Sequence, residues 1–244
     1  MAFRKFLSSL GINAPEVETV LDRTVVRPGE SLTANITVRG GGADVEIERF
    51  AVELVVRFES HGETEARYLN PIFTYTFDAP FVLRAGETRT EKVALELPWE
   101  MPLTHALGRP LTGAYSAVRT LLAIDGAVDR GDVDPVEVHA LPAQDAVLRA
   151  LEELGFRRVE AEVKPGHAHG TRQSADWWQE IEHRFPAAYG LKDVELLLVA
   201  RESDLDVHPG TSAKRLTLPY EETTDHAVLT TRLDRYLREQ FGVR

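Results

Sequence analysis

Few groupings in this sequence have the residue types and spacing to do chemistry, and His167-Ala168-His169 is the first. In an extended strand residues i and i+2 face the same side, so two imidazoles would converge on one metal ion, with Asp176 or His183 completing the shell. Pro165-Gly166 and Gly170 flank the pair, and a site needs three or four placed ligands, so a solvated loop is the simpler expectation. No cofactor is expected. Asp176-Trp177-Trp178 is the second grouping. Adjacent tryptophans in a strand face opposite sides, so one ring would fill a core while the other anchors a partner or stacks on a sugar; structural packing is the plainer outcome. Asp132 with Asp134, and Glu46 with Glu48, are paired carboxylates, but a general acid needs a desolvated cleft and such pairs are ordinary on the polar face of an acidic strand.

Other chemistries lack their residues. There is no G-x-S-x-G elbow, no Walker loop and no dinucleotide G-x-G-x-x-G before a helix, and Gly40-Gly41-Gly42 lies between strands, where a hairpin connection is expected. A cysteine count of zero excludes a disulfide framework, a thiolate metal site and a cysteine nucleophile. No enzyme is expected. The 244 residues hold 28 Lys and Arg against 39 Asp and Glu, a net charge of -11 with no basic stripe. Counterion release therefore supplies little affinity for nucleic acid, and an anionic membrane repels most of the surface. Partners are expected to be proteins, an oligomer is allowed, and the absence of a long apolar run points to a cytoplasmic chain.

These residues must be positioned by elements that the hydrophobic periods outline. Leu32, Ala34, Ile36 and Val38 alternate with polar neighbours, as do Phe50 to Phe58, Phe73 to Phe77 and Val93 to Leu97; Arg119 to Ile124 and Val133 to Val138 are shorter candidates. Turn residues separate them, which argues for an antiparallel β-sandwich over residues 1–140. At Leu141 the period changes. Pro142, Val147, Leu148, Leu151 and Leu154 have helical spacing and Gly155 can end the helix, so residues 141–155 read as a linker helix. Strands resume in 156–244, where Val194 to Ala200 is apolar on both faces and so central in a sheet. Asp225 caps a final helix with Leu229, Leu233, Tyr236 and Leu237 on one stripe and Gly242 past its end. Ala2 to Leu10 reads as a short amphipathic helix with Phe3 and Phe6 on its apolar side. Docking on the protein itself is expected, with membrane contact open only through this helix.

Several motifs together resemble the bacterial sporulation-control protein family. The opening Phe3-Arg4-Lys5-Phe6-Leu7 through Leu10-Gly11-Ile12 is similar to that family's start, and Val17 to Leu21 to its first strand. Arg27-Pro28-Gly29-Glu30-Ser31-Leu32 is similar to a turn that arrestin-like domains share, and Val93 to Pro98 with Pro102 and Thr104 resembles the segment where a strand ends at leucine-proline. Gln179 to Glu182 and Asp193 to Leu196 resemble positions in the second sandwich, whereas Arg201 to Leu218 departs from the pattern. The resemblance implies a mainly β chain of two arrestin-like sandwich domains in tandem. It also implies a non-catalytic adaptor or regulator, bacterial, whose protein partners belong to cell division, sporulation or the envelope. The partner-binding candidates are Phe3, Phe6, Trp177, Trp178, Leu233 and Tyr236; His167 and His169 are the metal candidates.

Overall fold

The computed structural model describes residues 14–59, 67–126, 128–210 and 214–242. The predicted N-terminal helix, with Phe3 and Phe6, lies outside the described residues. The chain is mainly β. In its first half β1 (Glu16–Leu21), β3 (Ser31–Arg39) and β7 (Thr88–Glu96) form one antiparallel sheet in the order β1-β3-β7. The second sheet runs β11-β10-β4-β5, made of β11 (Arg130–Pro135), β10 (Ser116–Ile124), β4 (Val45–Glu59) and β5 (Arg67–Thr76), with β6 (Phe81–Leu83) also paired to β4. Leu32, Ala34, Ile36 and Val38 are at most 1% exposed and belong to one core with Phe50, Val52, Leu54 and Val56 of β4. Fully burying one such Leu or Ile stabilises the fold by roughly 1.5–3 kcal/mol, which is why period-two alternation decides this architecture.

Two expectations are corrected here. The glycine run Gly40-Gly41-Gly42 is not a hairpin turn, because β3 and β4 lie in different sheets and the run carries the chain between them. Nor does β4 bury a single face, since Ala51, Glu53 and Val55 are buried with the rest. Glu53 is tolerated there because Arg119 grips it from Nε and Nη2 at 2.9 and 2.6 Å and Arg49 approaches at 3.2 Å, pairing the buried charge.

The Pro28-Gly29-Glu30 turn and the Leu97-Pro98 strand end meet in space. Leu97 N–H donates to Glu30 O at 2.8 Å and Gly29 N–H donates to Leu97 O at 3.2 Å. Gly29 sits at φ +79 with the Trp99 ring against it, so that a Cβ would come within 2.7 Å of the indole. Only glycine satisfies both demands.

α1 (Pro142–Glu153) begins with proline in its first turn, buries Val147, Leu148 and Leu151, and gives way to Gly155 at φ +91. Five strands follow as an antiparallel meander: β13 (Arg157–Pro165), β14 (Trp177–Arg184), β15 (Asp193–Ala200), β16 (Asp204–Pro209) and β17 (Leu216–Pro219). The apolar run is the central strand, as its composition predicts. α2 (His226–Phe241) is capped by Asp225, whose carboxylate accepts from Val228 N–H at 3.1 Å, and is followed by Gly242 at φ +65. It lies across the sheet: Tyr236 donates its hydroxyl to Val207 O at 3.2 Å and to Lys214 O, and Phe241 meets Phe185 edge-on at 4.9 Å.

His183 on β14 is 1% exposed, and its Nδ1 lies 2.8 Å from the Ile181 carbonyl. Burial pulls its pKa down to about 4. Because the folded value lies below the ordinary ~6.5, this histidine's contribution is complete above pH ~6.5. It declines as the pH falls toward about 4, where the folded form also takes up the proton. The loss expected is a few kcal/mol. Urea midpoints measured between these pH values should show a slope that His183→Gln reduces; an unchanged slope would mean that His183 does not carry it.

Candidate functional site

The tryptophan pair does face opposite sides of β14, and neither ring stands free. Trp177 is half-buried in the seam between the halves, donating from Nε1 to Glu100 O at 3.3 Å. Beside it Gln179 and Leu103 exchange two bonds, Leu103 N–H to Oε1 at 2.9 Å and Nε2 to Leu103 O at 2.8 Å. Glu100 Oε1 in turn accepts from Ser174 N–H and Oγ at 2.6 and 2.7 Å. This is backbone-to-side-chain stitching that fixes the β13–β17 sheet against the first half. Trp178, also half-buried, donates from Nε1 to Glu180 Oε1 at 2.8 Å.

The loop carrying His167 and His169 covers β16 and is held rather than loose. Gln173 Nε2 donates to the carbonyls of Gly166, Ala175 and Trp177 at 3.0, 2.8 and 3.1 Å. Arg172 reaches Asp206 from Nε at 2.8 Å and Nη2 at 2.7 Å. Both imidazoles are exposed, and His167 Nε2 is 3.7 Å from Asp176 Oδ1. The ends of the loop are spliced by Gln173, and among the described residues the pair does not belong to a cluster of three converging donors.

Leu233 and Tyr236 are 0% and 8% exposed and face the sheet beneath α2. In this fold they hold the helix down, and a partner would reach them only if the helix lifted. Of the carboxylate pairs, Asp134 is raised by burial and then by Asp132, but Asp132 is already committed to Thr19 N–H at 2.8 Å. That is a clasp between β11 and β1.

Two surfaces escape the sequence reading. Along β5 and one residue past its end, the Phe73, Tyr75, Phe77 alternation suggests a core stripe, yet of the three only Phe77 turns inward, stacking on Phe50 at 4.3 Å. Tyr68, Leu69, Phe73 and Tyr75 are 42%, 37%, 39% and 43% exposed. The strand pairs β4 on one side, and among the described residues nothing pairs its other side. An exposed edge presents unpaired N–H and C=O groups, and this one adds aromatic side chains that ordinary edges replace with charge. The second surface is formed by His105, Glu137 and His139, whose ligand atoms all lie within 4.8 Å of one another. Glu137 and His139 share the i, i+2 spacing of His167 and His169; their partner His105 is distant in sequence, so spacing alone does not find it.

No helix among the described residues is long and apolar enough to cross a membrane. The chain is 29% identical over 209 residues to the sporulation-control protein spo0M of Bacillus subtilis (strain 168), spanning 84% of this chain and 78% of that protein. The crystal structure of Spo0M, sporulation control protein, from Bacillus subtilis superposes with a TM-score of 0.77 at 24% identity, covering 93% of this chain and 98% of the other. That likeness shows the fold. The family model described as SpoOM protein matches residues 3–209, which is most of the length, and the chain therefore belongs to the SpoOM family.

Proposed function

We propose that the protein is a non-catalytic regulator of the sporulation-control type, located in the cytoplasm, which acts by adding an extended segment of a partner protein to the edge of β5. The observation that carries this reading is the open edge itself, with Leu69, Phe73, Tyr68 and Tyr75 exposed along ten residues. Backbone pairing supplies affinity in such strand addition, and alternate side chains supply selectivity. Aromatic anchors are the side chains that most often carry interface energy. A role in sporulation, cell division or envelope control follows from the family and is part of the proposal.

The test is a Leu69→Lys, Phe73→Lys variant. Both side chains are already partly in water, so thermal stability should change little, whereas two lysines on an edge oppose strand pairing. Affinity for the physiological partner should fall at least tenfold, which is about 1.4 kcal/mol. Undiminished binding by the folded variant would refute the edge as the contact.

A further inference from the structure

We propose that His105, Glu137 and His139 bind one divalent transition-metal ion, with zinc as the fitting choice. The site is assembled from two stretches of chain. His105 starts β8 (His105–Ala106), which turns back into β9 (Arg109–Pro110) through Leu107 and Gly108, both at positive φ, +53 and +69. Glu137 starts β12 (Glu137–Val138), which runs parallel to β2 (Val25–Val26), and His139 follows it and bridges in parallel to His105. That pairing lays the two imidazole rings over one another, 4.7 Å apart and 4° from parallel. Both present Nε2 to the same carboxylate oxygen: His139 at 2.9 Å and His105 at 3.8 Å from Glu137 Oε2.

The donor set is two neutral nitrogens and one anionic oxygen, the combination that zinc accepts with an open fourth position. Ligand bonds of about 2.0–2.2 Å in a tetrahedron put donors about 3.3 Å apart, so the present cluster needs only side-chain rotation to close. Glu137 is half exposed, with its side chain at 51%, so only its bond to His139 has to yield for it to turn. The outer shell is also in place. Thr104, buried at 7%, accepts Val138 N–H on Oγ1 at 2.8 Å and has His105 Nδ1 at 3.0 Å. When the hydroxyl's own hydrogen is directed at the Val138 carbonyl, 3.4 Å away, it can accept from Nδ1–H. His105 Nε2 then keeps its lone pair for the ion, the tautomer that metal-bound histidines need.

Position gives the ion a task. Leu107 N–H in the hairpin donates to Asp145 Oδ1 of α1 at 2.7 Å, and Arg109 in the returning strand pairs Glu152 of the same helix at 2.8 Å. An ion at the trio would pin the root of this hairpin to the strand that leads into α1, stiffening the joint between the two halves. Metal affinity then becomes a means of setting that joint.

Full-length protein made without an affinity tag, stripped with chelator and dialysed, should take up one zinc per chain in competition with a chromogenic chelator, and its melting temperature should rise with zinc. Calcium and magnesium should do neither, since they prefer all-oxygen shells. Glu137→Gln, which keeps the shape of the side chain and removes its charge, should weaken zinc at least about tenfold. A His105→Ala, His139→Ala chain should lose stoichiometric binding, while a His167→Ala, His169→Ala chain should bind as the wild type does. Absence of stoichiometric zinc in the wild type, or zinc that survives the Glu137→Gln change undiminished, would overturn the site and leave a hydrogen-bonded trio only.

Discussion

Leu233→Ala is expected to destabilise the protein by about 2–5 kcal/mol, read as a shift in the urea midpoint, because a wholly buried leucine leaves a cavity that a helix packed on a sheet cannot close. Leu233 stands in the stripe with Leu229 and Leu237, all at most 1% exposed, and this stripe is the apolar contribution of α2 to the core. Removing residues 225–244 should therefore abolish cooperative unfolding of the second half. A loss below ~1 kcal/mol for Leu233→Ala, out of line with buried leucines, would show the helix to be peripheral and return Leu233 and Tyr236 to the surface role that the sequence proposes for them.

The second large effect is expected at Asp206. Its carboxylate is 0% exposed on β16 and is held by Arg172, by Arg201 Nη1 at 2.9 Å and by the Thr217 hydroxyl at 2.6 Å. Burial pushes this acid up, but the hydrogen bonds from Arg172, Arg201 and Thr217 outweigh it and hold the carboxyl well below the usual range. A folded pKa below the unfolded ~3.9 means that the contribution is complete above pH ~4 and is lost as the pH falls further through the folded value. Replacing Arg172 and Arg201 together by Ala leaves the charge with the Thr217 hydroxyl and, at 3.9 Å, Arg215 Nε. The cost should be about 3–5 kcal/mol at pH 7, the penalty for breaking a buried ion pair. It should shrink in acid, where the carboxyl takes a proton. A double variant with an unchanged melting temperature, or with a deficit independent of pH, would contradict this account of how the loop over β16 is held.

What the sequence discloses and what it hides follow from how far apart the interacting residues lie. β3, α1 and α2 are written in local period: Leu32 to Val38 alternate, and Asp225 and Gly242 mark the helix ends with residues whose backbone roles depend on immediate neighbours. β16 and β17 are hidden, since Arg201 to Leu218 is rich in charge and its strand has a buried aspartate on the face opposite Leu205 and Val207. Asp206 makes sense only once Arg172, 34 residues earlier, folds over it. The β5 edge is concealed for another reason. Alternating aromatics specify a strand but not whether a neighbour covers it, and the neighbour that would do so is absent among the described residues. Position, not periodicity, makes Phe73 an outward side chain.

The central claim is that this edge is where the protein meets its partner. A photo-crosslinking residue placed in turn at positions 69, 73 and 75, and at Val228 as an exposed position on α2, can be tested in the cells that make the protein. One and the same protein should be joined from the three β5 positions and not from 228. Crosslinks that arise from 228 while the β5 positions stay silent would contradict the claim.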